Sequence, residues 1–337
     1  MNARQRGIAL LTAIILVAVA AIVATSIAWQ SQLAARRGIA VFTVAQSLAF
    51  AKGAEAMAAY ALRDNVQKNP KTTAPNQPWA KPYGPVEMDA GVVLEASLED
   101  QAGKFNLNSV VMPAGAGSPQ APATAPVPPG TPLPAPGAMT LVENKDAFNV
   151  FVALLTELKI NPDFAARLVD WIDSDDQPTF PGGAEDSFYL AQQPPHRTLN
   201  MPLTSVSELL AMGMDRASYD RLAPLVTALP VDTKLNICTA PGAVLDALAG
   251  LSTYALDVNE LNAQRQQSSC YPDTDSYLSG IAAAQKSYVQ NHIGTDSHYF
   301  RLRTWITIGT TRFTLYSLIN LQASGQIRPI LRTFGTE

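Results

Sequence analysis

The stretch that decides the fold is residues 4–28, RQRGIALLTAIILVAVAAIVATSIA, in which two arginines and a glycine stand directly before an apolar run. From Ile8 to Ala28 there are 21 consecutive residues without a charge. At about 1.5 Å per residue, a helix of this length spans roughly 30 Å, the thickness of the hydrocarbon core of a bilayer. The stretch therefore predicts a membrane-spanning helix.

The residues after Ala28 distinguish a retained anchor from a cleaved signal peptide. A signal peptide has a shorter apolar region and a small-residue cleavage site, and residues 21–30 offer such a site at Ala24. However, apolar residues continue to recur every three or four positions, with no proline before Pro70. They are Val41, Phe42, Ala45, Leu48, Ala49, Ala56, Met57 and Tyr60. This period favours one helix from Ile8 to about Lys68, with a cleaved signal peptide as the alternative.

Length, charge and cysteine content set broad limits. With 337 residues the chain can form two or more domains, and its net charge of -4 argues against a general attraction to nucleic acid. Cys238 and Cys270 are too few for a disulfide scaffold. In an exported chain they are enough for one bridge, and free buried thiols are the alternative.

Four segments alternate between apolar and polar residues, as half-buried strands do. The first, residues 91–100, follows a proline-rich stretch from Pro70 to Pro85 that we expect to be a loop. The other three lie at the C-terminal end, at residues 298–309, 312–322 and 326–334, separated by the turn signals Gly309-Thr310 and Ser324-Gly325. Pro329 makes the last one an edge strand, since proline donates no ladder hydrogen bond. They predict one antiparallel sheet interrupted by about 190 residues.

The interrupting segment reads as a linker followed by helices. Residues 111–138 contain nine prolines, which indicates a solvated linker rather than a ligand for a proline-binding module. Residues 146–160 and 164–172 show helical periodicity. We therefore predict an α+β protein with a large α-helical domain at residues 139–290, inserted into a sheet domain formed by residues 69–110 and 291–337.

Two stretches of the predicted insertion look like divergent copies of one unit. Each begins with Leu-Asn and ends its helix at a glycine: residues 198–215 with Gly213, and residues 234–252 with Gly250. The pattern resembles helix-hairpin-helix and SAM-like modules, which often bind the DNA backbone. The basic residues of such hairpins are missing here, which favours a structural use over DNA binding.

Acidic residues are densest in residues 168–190, LVDWIDSDDQPTFPGGAEDSFYL. Six carboxylates occupy 17 residues: Asp170, Asp173, Asp175, Asp176, Glu185 and Asp186. Like charges this close repel one another unless they are protonated or bridged by a cation, and calcium prefers oxygen ligands. A solvated acidic loop and paired acids of a periplasmic hydrolase are the alternatives. The EF-hand pattern is only partly met, and three histidines without ligand spacing argue against zinc.

The basic leader, Gly7 and the retained apolar helix resemble the N terminus of type IV pilins and pseudopilins. In that superfamily a prepilin peptidase cuts after the glycine, here between Gly7 and Ile8. The fifth mature residue is usually a glutamate that pairs with a neighbouring subunit. Thr12 stands there in this chain, and a threonine can bond back to its own helix at little cost.

Four further stretches together resemble the minor pseudopilin K family of type II secretion systems. They are residues 99–110 (EDQAGKFNLNSV), 170–190, 194–214 (PPHRTLNMPLTSVSELLAMGM) and 228–240 (ALPVDTKLNICTA). The resemblance implies a pilin-like long N-terminal helix packed on an antiparallel sheet, with an inserted helical domain that binds two calcium ions. It carries the ligand role to Asp170, Asp173, Asp175, Asp176, Glu185, Asp186 and Asn200.

The resemblance also implies a place in the cell. It predicts a single-pass protein of the bacterial inner membrane with most of its chain in the periplasm. It predicts a non-enzymatic subunit, processed and methylated at its N terminus, at the tip of the secretion pseudopilus. Its partners would be the minor pseudopilins I, J and H, the major pseudopilin below the tip and the prepilin peptidase, with no nucleic acid.

Overall fold

The computed structural model describes residues 3–89, 91–115, 140–322 and 325–335. The helices in these residues are α1 Ala3–Lys68, α2 Lys145–Glu157, α3 Phe164–Ile172, α4 Asp186–Tyr189, α5 Glu208–Ala211, α6 Arg216–Leu222, α7 Gly242–Ala249, α8 Val258–Gln267, α9 Thr274–Ser279 and α10 Ala283–His292. The strands are β1 Tyr83–Asp89, β2 Val92–Asp100, β3 Phe105–Asn106, β4 Val111–Pro113, β5 Leu141–Glu143, β6 Val226–Thr227, β7 Leu235–Asn236, β8 Ile293–Gly294, β9 Tyr299–Ile308, β10 Thr311–Leu321 and β11 Ile327–Phe334.

Helix α1 is continuous from Ala3 to Lys68. It ends where the sequence predicts and begins earlier, because residues 3–7 are helical as well. From Leu10 onward it is long and apolar enough to cross a membrane, judged by length and composition. Its large apolar side chains between Leu10 and Val44 are exposed in the protein, and those up to Trp29 lie in a stretch without charged residues, which fits a membrane-spanning segment.

Strands β1, β2, β9, β10 and β11 form a five-stranded antiparallel sheet in that order. The four predicted strands are therefore confirmed, and β11 is an edge strand. The prediction of a loop up to Pro85 is wrong at its end, because β1 begins at Tyr83. This strand is exposed and irregular in register, so it lacks the clean alternation by which a half-buried strand is recognised.

The second half of α1 packs across one face of the sheet. Ala51 and Ala54 lie in a buried cluster with Ile306 of β9, and Leu62 lies in a second cluster with Phe300 of the same strand. The small alanines allow the helix to approach the sheet closely. Because Phe300 is at the start of β9, the end of the sheet at which β2 stops lies at the C-terminal end of α1, away from its apolar N-terminal segment.

Residues 101–298 are inserted at that far end, between the paired neighbours β2 and β9. Their core is the largest buried cluster in the described residues. Strands β3 and β6 pair in parallel and join the two ends of residues 105–227. Strands β7 and β8 pair in the same way and join the two ends of residues 235–294. The insertion thus consists of two successive helical units, residues 105–227 and 235–294, rather than the shorter copies expected from the sequence.

The structure differs from the predicted limits of the inserted domain. Phe105, Leu107, Val110 and Val111, which the sequence assigns to the sheet domain or the linker, belong to the core of the helical insertion. Strand β4 pairs with β5 on the other side of the proline-rich segment. Of the predicted linker, residues 116–138 lie outside the described residues.

The helices of both proposed repeats end at the predicted glycines. Gly213 follows α5 with a φ of +87°, and Gly250 follows α7 with a φ of +65°. Glycine adopts this left-handed conformation without steric cost, which explains why it ends both helices.

A buried carboxylate joins the sheet to the insertion. Asp100, the last residue of β2, accepts hydrogen bonds from Asn236 (3.0 Å), Thr239 and Ser297 (2.6 Å). Its other oxygen accepts the backbone N–H of Ala102 (2.9 Å). Because these donors come from both ends of the second helical unit, Asp100 fixes that unit against the sheet.

A candidate metal site in the acidic loop

The acidic loop begins at the end of one helix and ends at the start of another. Asp170 lies in the last turn of α3, and Asp173 directly follows that helix, its N–H bonded to the carbonyl of Val169 (2.8 Å). Glu185 directly precedes α4. The prolines and glycines between them turn the chain back, so the two helix ends and their carboxylates lie side by side.

Asp173, Asp175 and Glu185 each place one carboxylate oxygen within 4.8 Å of the others. Asp173 and Glu185 are buried, each with 4% of its surface exposed, while Asp175 is exposed. Among the residues that the structure describes, this is the one group of three or more potential ligands. The sequence predicted all three.

Several oxygens of this region are buried and, within the described residues, accept no hydrogen bond. They are Asp170 Oδ2, Asp173 Oδ1, both carboxylate oxygens of Glu185, and Asn200 Oδ1. Buried polar atoms are nearly always satisfied, and an unpaired buried carboxylate is especially unfavourable. All five are oxygen atoms, the kind of ligand that calcium prefers.

The electrostatics of the group show the same mismatch. Burial, together with the nearby charges of Asp175 and Asp170, raises the pKa of Asp173 to about 8. Burial and the same two neighbours raise the pKa of Glu185 to about 7. Both carboxyl groups keep their protons to a higher pH because the protein places negative charges together away from water. A bound cation would take the place of those protons.

A glycine at position 183 lets the loop close on Asp170. The Thr179 N–H donates to Asp170 Oδ1 (2.9 Å), and Gly183 lies so near Asp170 Oδ2 that a Cβ there would collide with it and with the backbone of Thr179. The fully buried Asp170 therefore anchors the loop through one oxygen, while no donor in the described part of the chain reaches its second oxygen.

Asn200 is joined to the same helix end from a distant part of the chain. Its N–H donates to the carbonyl of Trp171 (3.1 Å), and its backbone has a φ of +49°, which asparagine tolerates better than most residues. The sequence predicted Asn200 as a ligand, and the structure places it beside α3.

Three predicted carboxylate ligands, Asp170, Asp176 and Asp186, lie outside the group of three. Asp176 is exposed. Asp186 accepts hydrogen bonds from the N–H and hydroxyl of Thr198 (3.0 Å each) and from Arg197 (2.9 Å). Against the effect of burial, the bonds from Thr198 lower the pKa of Asp186, so this carboxylate is satisfied by the protein itself.

Two residues near the site were not predicted from the sequence. The charge of Glu143 in β5 contributes to the raised pKa of Asp173, after burial and the nearer carboxylates. No local spacing connects it with the loop, since helices α2 and α3 intervene. Tyr189 is buried and its hydroxyl has no hydrogen-bond partner among the described residues. Its position four residues after Glu185 could have indicated that it lies near the acidic loop, but an aromatic side chain there fits the packing of a compact domain equally well.

The remaining predicted residues lie in α1 and in the second helical unit. Gly7, Ile8 and Thr12 are all within α1. Cys238 and Cys270 are joined as a disulfide across a sequence separation of 32 residues.

A family model described as type II secretion system protein K matches residues 103–231, a range close to the first helical unit. Type II secretion system protein K of Pseudomonas aeruginosa is 30% identical over 99% of this chain and 94% of its own length. The Klebsiella pneumoniae protein of the same name is 31% identical over 99% of this chain and 96% of its own length. The chain belongs to the type II secretion system protein K family. It is thus a minor pseudopilin of a type II secretion system.

A solved structure agrees with this assignment to the protein K family. The crystal structure of the GspK-GspI-GspJ complex from enterotoxigenic Escherichia coli contains a matching chain with a TM-score of 0.69 and 27% sequence identity. The match covers 89% of this chain and 100% of the other. Protein K is a structural component of the secretion system and not a known enzyme family. Neither alternative function, DNA binding or hydrolysis at the acidic loop, is supported.

Proposed function

We propose that this protein K is the tip subunit of the secretion pseudopilus, where it initiates assembly and caps the filament. In this proposal α1 anchors the chain in the bacterial inner membrane as a single span, and the rest of the chain lies in the periplasm. The observation that carries the proposal is the place of the helical insertion.

The insertion of residues 101–298 leaves the sheet at the end remote from the apolar part of α1. In a filament of parallel subunits with their apolar helices toward the membrane, this end faces the next subunit above. The buried network around Asp100 holds the insertion there. A subunit stacked above would meet it, so growth beyond this protein is blocked while contacts below stay available.

Thr12 supports the same position. Cleavage between Gly7 and Ile8 by a prepilin peptidase, with methylation of the new N terminus, would make Thr12 the fifth residue. The pilin glutamate at this position is costly in a membrane and is kept for pairing with a neighbour. A subunit that starts the filament does not require that pairing.

We infer the partners from the solved relative, whose complex contains GspI and GspJ. The corresponding minor pseudopilins are proposed to bind this chain, with H and the major pseudopilin below them. The pseudopilus is proposed to act in protein export across the outer membrane, and we expect no catalytic turnover from this subunit.

We also propose that the acidic loop binds calcium. Asp173, Asp175 and Glu185 would hold the ion, because one oxygen of each lies within 4.8 Å of the others. Asp170 and Asn200 would be further donors, because each carries a buried oxygen that accepts no hydrogen bond within the described residues. When bound, the ion supplies positive charge that lets the buried carboxylates ionise without repelling one another. The described residues gather one such group, and a second ion, implied by the family resemblance, would draw on Asp176 and Asp186.

The tip position can be tested by locating the protein on filaments. Cells that overproduce the major pseudopilin would carry this chain with a C-terminal epitope tag, and gold-labelled antibody would be counted along the filaments by electron microscopy. We expect label at one end only. A variant in which a short turn replaces residues 101–298, shown to be folded by its retention in the membrane and protease resistance, should label along the length. Wild-type label along the length would contradict the proposal.

A second variant separates the effect of the insertion from the effect of Thr12. Thr12→Glu with the insertion intact should still label only the end, because the insertion is the steric block. If Thr12→Glu alone moved the label into the filament, the insertion would not be the cap.

A further inference from the structure

Tyr189 has a buried hydroxyl group without a partner. Its side chain has 0% of its surface exposed, and within the described ranges the hydroxyl neither donates nor accepts a hydrogen bond. Buried tyrosine hydroxyls usually find a partner, because leaving a donor unsatisfied away from water costs free energy.

The position of Tyr189 relative to the acidic loop is fixed by packing. It is the last residue of α4, four residues after Glu185, and its N–H points to the carbonyl of Glu185 (3.4 Å). Its ring packs edge-on against Trp171, whose neighbour in the chain is Asp170, with 5.1 Å between the ring centres. On another side the ring of His196 lies 5.1 Å from the ring of Tyr189. Contacts on two sides prevent the ring from turning toward solvent.

The unsatisfied groups around Tyr189 are complementary. Burial raises the pKa of the Tyr189 hydroxyl to about 12; the charge of Arg167 opposes this rise, and the charges of Asp170 and Glu185 add to it, so the hydroxyl lies within electrostatic range of the two carboxylates. Asp170 Oδ2 and both Glu185 oxygens are buried acceptors without donors in the described part of the chain. A protonated phenol offers one O–H donor, and ionised carboxylates offer only acceptors.

We propose that Tyr189 is a positioning residue of the metal site, whose hydroxyl donates a hydrogen bond to the shell of oxygens that Asp170 and Glu185 contribute around the bound ion. The inference rests on the calcium site proposed above. Donors of this kind fix the orientation of ligating carboxylates and strengthen metal binding without touching the metal. A hydroxyl that has no partner within the described residues thereby gains one when the ion is bound.

The test compares wild type with Tyr189→Phe, which removes one oxygen and keeps the ring. Full-length protein in detergent micelles would be titrated with calcium chloride by calorimetry, and its Tm measured in EGTA. Removing the hydroxyl should weaken the calcium Kd by about 10- to 100-fold. The Tm in EGTA should be unchanged or higher, since the variant loses a buried donor that makes no hydrogen bond in the metal-free protein.

Tyr277→Phe is the matched control. Tyr277 is also buried, with 1% of its surface exposed, but its hydroxyl donates to the carbonyl of Leu245 (2.7 Å). We expect this variant to lower the Tm equally in EGTA and in calcium, with the calcium Kd unchanged. The two tyrosines thus separate a role toward the metal from a role in packing.

The outcomes are distinguishable. If wild type itself binds no calcium, the proposed metal site is wrong and the role of Tyr189 is wrong with it. If wild type binds and Tyr189→Phe binds with the same Kd, the metal site stands and the positioning role is overturned. A loss of Tm in EGTA for Tyr189→Phe, like that of Tyr277→Phe, would also overturn it, because a structural hydrogen bond would then be its function.

Discussion

Glu55 of helix α1 and Arg332 of edge strand β11 form a bidentate salt bridge although 277 residues separate them in the chain. Arg332 donates through Nε to Oε1 (2.7 Å) and through Nη2 to Oε2 (2.8 Å), and the Ser317 hydroxyl donates to Oε1 (2.6 Å). Burial opposes the charge of Glu55, yet the bonds from Arg332 and Ser317 lower its pKa. The pair therefore fixes the long helix to the last strand.

Arg332→Ala should destabilise the protein more than Glu55→Gln. Glu55 is buried and Arg332 is partly exposed, so removing the arginine leaves a buried charge, at a cost of about 2 kcal/mol or more. Glu55→Gln leaves an arginine that water can reach and should cost about 1 kcal/mol. Urea unfolding in detergent micelles, followed by circular dichroism, measures both values. Arg328→Ala, on the same strand with a single bond to Gln326, is the control and should change little.

Glu99 should make the protein less stable in acid. Although burial raises it, the charges of Lys104 and Arg301 hold the pKa of Glu99 at about 2. Since the unfolded chain has a glutamate pKa of about 4.3, the ionised form stabilises the fold above that pH. This contribution is lost as the pH falls from about 4.3 toward 2.

The measurement for Glu99 is a comparison of wild type with Glu99→Gln across pH. Because the carboxylate is half-exposed, we expect the variant to be less stable by roughly 0.5 to 1 kcal/mol at pH 7, with the gap closing by about pH 2. A gap that stays constant over this range would mean that the charge of Glu99 is not the cause.

Asp173→Asn with Glu185→Gln should separate charge repulsion from metal binding. In EGTA at about pH 9, above the raised pKa values of both carboxyl groups, the double variant should melt higher than wild type, because two buried like charges are removed. In calcium it should lose the stabilisation that ligand binding gives wild type, about 2.7 kcal/mol at 100 times Kd. Differential scanning calorimetry in both buffers measures this.

Asp176→Asn is the control for the double variant, since Asp176 is exposed and outside the group of three. It should keep the rise in Tm that calcium gives at the group of three, and lose only the rise that a second ion at Asp176 and Asp186 would give. If it lost the first rise as well, Asp176 would be a ligand of the same ion.

Removing the disulfide should cost about 3–4 kcal/mol in the chain-entropy model for a loop of this length. Cys238→Ser with Cys270→Ser, compared with wild type by urea unfolding, measures the loss. A loss below about 1 kcal/mol would show that other contacts already hold the loop.

Arg265 makes such contacts and should couple with the disulfide. Its guanidinium is buried and donates to the carbonyls of Ile237 (2.9 Å) and Ala240 (2.7 Å) on one side and Tyr271 (2.8 Å) on the other. The same two segments carry the cysteines. Arg265→Met should therefore cost a different amount in the disulfide-free variant than in wild type, by more than about 0.5 kcal/mol. Equal costs in a double-mutant cycle would show that the two links act independently.

Local sequence patterns were enough to predict the helix and the strands that bury one face in the core. The apolar run and its periodic continuation predicted α1 to its last residue, and the alternation in β2, β9, β10 and β11 predicted the sheet. Strand β1 was missed because its side chains are exposed and its register is irregular, so no alternation records it.

The candidate site divides in the same way. The sequence predicted that all six carboxylates of the loop come together, because they are crowded among prolines and glycines, and the family resemblance assigned them the ligand role; the structure groups Asp173, Asp175 and Glu185. The sequence did not distinguish these three from Asp186, which is satisfied by Thr198 and Arg197. That difference depends on how a later segment packs, and spacing within the loop carries no information about it.

By itself, then, the sequence determined the membrane-spanning length of α1, the strands with one buried face and the acidic composition of the loop, because each follows from the periodicity or charge of neighbouring residues. Only the tertiary structure decided that residues 105–111 belong to the insertion and that β3 pairs with β6 and β7 with β8. It also decided that the buried hydroxyl of Tyr189 has no hydrogen-bond partner among the residues that the structure describes. These features depend on contacts between residues far apart in the chain. Such contacts are selected by the shape and burial of the whole core, which no local pattern encodes.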